Sequence, residues 1–453
     1  MELKYEKKNI YAEASEEEMQ AIFAYAEGYK AFINQAKTER DAVKASVALA
    51  KSHGYTEYKI GDPLHIGDKK YLVNRNKNVF FIRMGSEDVA ENGVRILAAH
   101  IDSPRLDLKQ VPLYEKNDLA FFKTHYYGGI RKYQWTALPL ALHGVAIKAD
   151  GTSVEITVGE DESDPVFYVS DLLPHLGAKQ NQKTLAEGIE AEQLNIWVGG
   201  IPVKNKEKNP VKANVLRILH EKYGICEEDL ISAELTMVPA LKARDVGFDR
   251  AQIAAYGHDD KVCAYPEITA MFDTPSEHTV IGVLADKEEI GSEGATGMQS
   301  ALLNDILEEI AAARKANVRK MRYNSMCLSA DVSAAYDPNF PEVFEENNSA
   351  MLSCGSALCK FTGSRGKSGS NDAVAEFVGY IRNLFNANGA RWQMAELGKV
   401  DAGGGGTVAK FIAKLNIDTI DFGVPVVSMH APYEVVSKAD LYSAYKAFCA
   451  FCK

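Results

Sequence analysis

The chain lacks the features that mark several whole classes of protein. No apolar run reaches the about 18 residues needed to cross a bilayer, so no spanning segment is expected. The opening segment, Met1-Glu2-Leu3-Lys4-Tyr5-Glu6-Lys7-Lys8, has no apolar stretch of the signal-peptide kind, which leads to the expectation of a cytoplasmic protein. Basic residues are outnumbered, 51 Lys and Arg against 62 Asp and Glu. At a net charge of −11 there is no positive field to draw nucleic acid or anionic lipid. Seven cysteines among 453 residues are too few for a disulfide framework. Cys449-Ala450-Phe451-Cys452 has CxxC spacing, but it has no second pair and ends a helix-like run from Asp440, so it reads as core. Neither GxGxxG nor GxxxxGK[ST] occurs, which removes the usual phosphate-cradling loops.

What remains is an ordinary globular composition, 46% hydrophobic and 25% charged, with a length that suggests two or three domains. The first fifty residues carry helical periodicity, and Ser15-Glu16-Glu17-Glu18 resembles an N-terminal cap. Strands are expected at Val79–Arg83 and Val94–Ala99. From about 111 to 240 the texture changes to alternating segments such as Val154-Glu155-Ile156-Thr157-Val158. A polar stretch from Gln180 to Asn195 and the loop Lys204–Pro210 follow, and together they suggest a β-rich insertion. After 240 the pattern repeats strand, loop and helix. Strands are expected at Thr279–Ala285, Ser325–Ala330 and Thr419–Gly423, and a helix at Ala301–Arg314. This alternation implies an α/β core, a sheet between helices, formed by residues 1–110 and 241–453 around the insertion.

Five acid- or histidine-bearing clusters fall mostly at the C-terminal ends of these strands, the edge where open α/β sheets bind ligands. His100-Ile101-Asp102 closes the first. Two residues apart in extended chain, the Asp can accept one imidazole N–H while the other nitrogen binds a metal. Asp259-Asp260-Lys261 follows Gly257-His258 and precedes an apolar helical run. Asp286-Lys287-Glu288-Glu289-Ile290-Gly291-Ser292 follows a strongly apolar strand, and its Glu pair could divide into a ligand and a base. Asp331 ends one strand, and His430 ends Val424-Pro425-Val426-Val427-Ser428-Met429. Taken singly, each has an ordinary reading as solvated turn, helix cap or core histidine. Taken together, two His and several carboxylates form the mixed N/O set that suits a pair of zinc-, manganese- or cobalt-like ions. Two ions roughly 3.5–4 Å apart need one bridging carboxylate and about two further ligands each, which leaves one Glu for proton transfer.

In five motifs, in order, the sequence resembles the aspartyl aminopeptidase family, in its bacterial aminopeptidase branch. The motifs are His100-Ile101-Asp102-Ser103-Pro104, Asp259-Asp260-Lys261, Glu288-Glu289-Ile290-Gly291-Ser292, Ser329-Ala330-Asp331 and Ser428-Met429-His430. The resemblance implies a dinuclear zinc aminopeptidase, with Mn2+ or Co2+ as alternatives. By position, His100 would hold one metal and His430 the other, with Asp259 bridging. Glu289 and Asp331 would complete the shells, Glu288 would be the base, and Asp102 would orient His100. The choice of Asp259 over Asp260 comes from the family pattern; spacing leaves both open.

The resemblance also implies a zinc-peptidase sandwich interrupted by a dimerisation domain over 111–240, with assembly into dimer-based tetrahedral dodecamers. Leu173-Pro174-His175-Leu176 resembles a segment of that domain whose histidine reaches a neighbouring subunit's site, so His175 is a substrate-contact candidate alongside a surface-histidine reading. Lys360, Arg365 and Lys367 would supply a positive pocket for an acidic N-terminal residue. The sequence departs from the eukaryotic members at Asp337, where they carry a histidine. Gln134-Trp135-Thr136 replaces an Arg- and Asp-bearing stretch after Tyr126-Tyr127-Gly128-Gly129. Both departures bear on preference and neither falls on a proposed ligand. The implied chemistry is removal of one N-terminal residue from a peptide by metal-activated water, with Gly403–Gly406 either allowing close backbone approach or forming a turn. Two alternatives remain. One is a related co-catalytic metallopeptidase of different specificity. The other is a non-catalytic oligomeric protein on a retired peptidase fold, against which the intact Glu288-Glu289 pair speaks.

Overall fold

The computed structural model describes residues 4–204 and 208–453. Residues 1–3 of the opening segment and 205–207 of the Lys204–Pro210 loop lie outside the described residues. The chain forms two units. The larger comprises Met1–Asp102, Ala243–Met429 and Glu434–Lys453; the smaller comprises Ser103–Lys242 and His430–Tyr433.

The larger unit is built on a nine-stranded mixed sheet. Its order is Thr56–Glu57, Lys69–Asn74, Asn78–Arg83, Val280–Ala285, Arg95–His100, Met326–Ala330, Asp418–Gly423, Ser356–Cys359 and Trp392–Met394. The four strands Val280–Ala285, Arg95–His100, Met326–Ala330 and Asp418–Gly423 run parallel, with Ala285 opposite His100 and Ala330 opposite Phe422. Their C-terminal ends therefore open onto one edge. Each is nearly continuous in apolar residues because both faces are covered.

Alternation divides the side chains between the two faces. Leu97, Ala99, Phe81, Leu328, Ile420 and Phe422 enter a core with the helices Glu16–Gln35, His258–Asp273 and Lys438–Cys452. Ile96, Ala98, Phe80, Ile82, Ile281 and Val283 enter another with Ile306, Leu307 and Ile310 of the helix Leu302–Ala313. Burying each such Leu, Ile, Val or Phe side chain contributes roughly 1.5–3 kcal/mol, so this sheet is the rigid element on which the edge is mounted. Ser15 caps the helix Glu16–Gln35 by accepting the Glu18 N–H, as the acid-rich start suggested. Cys449 and Cys452 lie in the helix Lys438–Cys452 as free thiols, Cys452 fully buried.

A second, five-stranded sheet of the larger unit contains Gln252–Ala255 paired antiparallel with Glu434–Ser437. Its strands are two to four residues long, too short to show a period in the sequence. The smaller unit holds a six-stranded sheet ordered Ser153–Val158, Leu140–Ile147, Glu234–Pro239, Arg105–Lys116, Leu119–Tyr127 and Ile196–Gly199, antiparallel throughout, with the helix Pro210–Tyr223. The class is α/β, with mixed sheets and helices. No helix among the described residues is long and apolar enough to cross a membrane.

Candidate metal centre

The edge formed by the parallel strands gathers most of the expected residues. His100 is the last residue of its strand, and Asp331 directly follows Met326–Ala330. Glu288 and Glu289 start a single 3-10 turn just past Val280–Ala285. Asp259 and Asp260 stand at the entry of the helix His258–Asp273, after left-handed Gly257, with non-helical backbone angles at both. Ligand atoms of His100, Asp259 and Glu289 lie within 4.8 Å of one another, as do those of His100, Glu288 and Asp331, and those of Asp259, Asp260 and Asp331. His100, Asp259 and Asp331 each belong to two of these groups.

The two ring nitrogens of His100 face different partners. Nδ1 lies 3.0 Å from the Asp102 carbonyl oxygen and 3.2 Å from its Oδ1. Nε2 points into the cluster, 3.1 Å from Asp259 Oδ1 and 3.9 Å from Asp331 Oδ1. With Nδ1 donating to Asp102, Nε2 is the nitrogen turned toward the acids, where a metal would replace its proton. Asp102 does more than orient this ring. Its Oδ1 accepts the Glu288 N–H at 3.1 Å and its Oδ2 the Glu289 N–H at 3.2 Å, so one fully buried carboxylate ties the His100 strand to the Glu288-Glu289 turn.

Electrostatically the cluster is short of positive charge. Burial opposes a charge on His100, but Asp102 and Asp259 outweigh it and raise its pKa well above the usual imidazole value. Burial, offset by His100 and reinforced by Asp259, pushes the Asp260 carboxyl up to about 7. Burial and then the Glu288 charge raise Asp331 well above the ordinary range. Like charges held together in a dry site favour protons or cations. One oxygen of Asp260, Oδ1, is buried without a hydrogen-bond partner, while Oδ2 accepts the His100 backbone N–H at 3.3 Å. The clustered N/O donor set of His100, Asp259, Glu289 and Asp331 is of the kind that suits a divalent ion, so the residues fit a metal.

Close packing fixes Asp331. A Cβ on Gly423 would lie 1.7 Å from the Asp331 carbonyl oxygen, so only glycine lets the neighbouring strand approach there.

Of the remaining expected residues, His430 belongs to the smaller unit, where its Nδ1 donates to the Gly129 carbonyl at 2.9 Å. A Cβ on Gly129 would sit 3.3 Å from that ring nitrogen. His175 is exposed in the turn Pro174–Leu176. Lys360 pairs with Asp372, as does Lys367 at 3.1 Å, so two of the three expected cations already have a counter-charge. Gly404 and Gly405 form a short ladder with Gly363–Ser364.

Three polar residues at or near this edge have no role assigned from the sequence. Asp421, opposite Ser329 in the sheet, has one carboxylate oxygen bonded to Thr407 and the other without a partner. Burial pushes it up to about 7, with Thr407 opposing and the Glu288 charge adding. A lone acid inside the apolar run Thr419-Ile420-Asp421-Phe422 was the signal available. Glu434, four residues after His430, is 1% exposed and accepts the Asp259 N–H at 3.1 Å. Lys261, beside the Asp pair, is fully buried.

Comparisons with known proteins agree on one family. The model for the aminopeptidase I zinc metalloprotease family (M18) matches residues 32–452. A probable M18 family aminopeptidase 1 of Clostridium acetobutylicum is 49% identical over 98% of this chain and 98% of its own length. The crystal structure of an M18 aminopeptidase from Thermotoga maritima superposes with a TM-score of 0.94 at 42% identity, over 99% of this chain and all of that one. The aminopeptidase I structure of Clostridium acetobutylicum gives 0.93 at 46% identity over the full length of both. The mApe1 dodecamer of S. cerevisiae shares the fold, with a TM-score of 0.78 at 22% identity over 94% of this chain and 96% of that one. On the strength of the matched model and of relatives near half identity along the whole chain, the protein belongs to the M18 family of zinc metalloaminopeptidases.

Proposed function

We propose that the chain removes single N-terminal residues from peptides at a centre of two zinc ions, replaceable by manganese or cobalt, with Glu288 as general base. The observation that carries this reading is the Glu288-Glu289 turn beside His100, Asp259 and Asp331 on one sheet edge. His100, Asp259, Glu289 and Asp331 would hold the ions, with Asp259 shared. His430 would be the fifth ligand on the strength of its motif. Bound there, the ions would supply an acidified water and polarise the scissile carbonyl.

The chain's own part is positioning and proton transfer. Asp102 holds the Glu288 and Glu289 backbone, so the two side chains leave one short turn with different tasks. Glu289 serves as ligand; Glu288 takes the proton from the water and returns it to the departing amine. The substrate's free α-amine would sit among the remaining carboxylates, which makes the enzyme an exopeptidase.

An acidic preference would use Arg365 with Lys360 and Lys367, although Asp372 already offsets part of that charge. We also propose that the smaller unit is the dimerisation module and that dimers build a dodecamer, with His175 contacting substrate in a neighbouring subunit. The exposed apolar residues Leu172, Leu173 and Leu176 around His175 support a contact role. A cytoplasmic location follows the sequence reading.

The test is a panel of aminoacyl chromogenic substrates with free and blocked amines, assayed after chelation and reloading with zinc, manganese and cobalt in turn. Cleavage confined to free amines is expected. Cleavage of blocked amines would indicate a deblocking or carboxypeptidase-like relative, and a metal-loaded protein inert to all would indicate a non-catalytic role.

A further inference from the structure

Asp259, the proposed bridge, lies on a segment with little regular structure of its own. The strand Gln252–Ala255 stops four residues earlier, Gly257 turns left-handed, and Asp259 is extended at φ −75°, ψ 107°. Its N–H falls where a helix offers no intrahelical acceptor. Glu434 supplies one. It begins the strand Glu434–Ser437, directly opposite Ala255 in the antiparallel ladder. Its Oε2 takes the Asp259 N–H at 3.1 Å. The carboxylate is 1% exposed, and a charge so buried needs compensation. Lys261, itself fully buried, lies with its Nζ 5.9 Å from the Tyr256 ring centroid; burial lowers its pKa, and the charges of Asp102, Glu434, Glu39 and Asp259 oppose that.

We propose that Glu434 is a positioning residue that pins the backbone of Asp259 and so sets where the bridging carboxylate points. This rests on the metal-centre reading above. The hydrogen bond, not the charge, is the working part. A neutral side chain with the same reach and an acceptor oxygen should therefore suffice, and a shorter acid should not.

The experiment measures zinc affinity by chelator competition, together with kcat and KM on a free-amine aminoacyl substrate, for wild type, Glu434→Gln, Glu434→Ala and Glu434→Asp. Glu434→Gln should stay within about threefold of wild type in zinc affinity. Glu434→Ala should lose 10–100-fold, the usual scale for partners of metal ligands. Glu434→Asp, which withdraws the oxygen by roughly 1.5 Å, should fall with Ala although it keeps the charge. At saturating zinc the loss should appear in kcat, with KM within about threefold. Folded Ala and Asp variants with wild-type zinc affinity and kcat would overturn the proposal. So would a Gln variant as impaired as Ala. If Glu434→Ala is recovered unfolded, the Asp and Gln variants decide by the same criteria. A zinc-loaded wild type that cleaves nothing would count against the proposed function, and relative zinc affinities would still decide the role of Glu434.

Discussion

In the larger unit the unusual side chains are charged and hidden: Asp102, Asp259, Asp260 and Lys261 are all but completely buried near one sheet edge. In the smaller unit they are apolar and outside. Among the described residues, fourteen large hydrophobics are exposed there, Val111, Leu176, Trp197 and Ile201 among them, against twelve in a unit more than twice as long. Both patterns cost free energy in an isolated chain, the first by desolvating charge and the second by leaving oily surface in water. Each therefore points to something that offsets it: a cation for the acids, a contact surface for the apolar side chains. The difference is what the two proposals rest on: buried charge in the larger unit for the metal centre, exposed apolar surface in the smaller one for a contact role.

The sharpest way to break this contrast is inside the acid cluster. Glu288→Gln keeps shape and removes the base. Turnover should fall 10²–10⁴-fold, the ordinary worth of general-base catalysis, with metal content by elemental analysis unchanged. Near-normal turnover would reassign the base.

Gly423→Ala comes next. A methyl placed 1.7 Å from the Asp331 carbonyl oxygen forces the two strands apart. Activity and zinc affinity should drop at least tenfold, and chelator competition would register it.

Stability should separate the units further. Leu303→Ala, in the packed core behind the sheet, should cost about 2–5 kcal/mol in denaturant unfolding. Leu176→Ser, at an exposed position of the smaller unit, should cost under about 0.5 kcal/mol. The same Leu176→Ser should nonetheless shift the assembly toward smaller species in analytical ultracentrifugation; an unchanged assembly would remove that surface from the contact.

The smallest effect is in pH dependence. Asp260 is raised from 3.8 to about 7, and Asp331 is raised too, so the folded metal-free protein holds protons that the unfolded chain releases. The stability this confers is complete below pH 4 and is lost as pH climbs through the folded values. His100, raised by Asp102 and Asp259 against burial, works in the same direction. The melting temperature of chelated protein, measured between pH 5 and 8 after allowing for the other groups, should therefore fall relative to the zinc-loaded form. Bound metal replaces those protons.

Much of the site was legible because local pattern and chemistry coincide there. Apolar runs ending in His100, Asp331 and the Glu288-Glu289 turn announce strands that deliver polar groups to one edge. Other parts depend on partners distant in sequence. Neither the double acceptance by Asp102 of the Glu288 and Glu289 N–H groups nor the reach of Glu434 to Asp259, 175 residues away, leaves a local trace. The choice between Asp259 and Asp260 rests on the family pattern, which periodicity does not encode. The assignment of His430–Tyr433 to the smaller unit is equally a long-range fact.

The central claim is a dinuclear centre whose two ions share Asp259. Its most direct test is zinc stoichiometry by elemental analysis on wild type and Asp259→Asn, paired with free-amine substrate hydrolysis. The account predicts two zinc ions per wild-type chain, loss of at least one in Asp259→Asn, and no turnover after chelation. Full activity in metal-free protein, or two tightly held ions in an active Asp259→Asn variant, would contradict it.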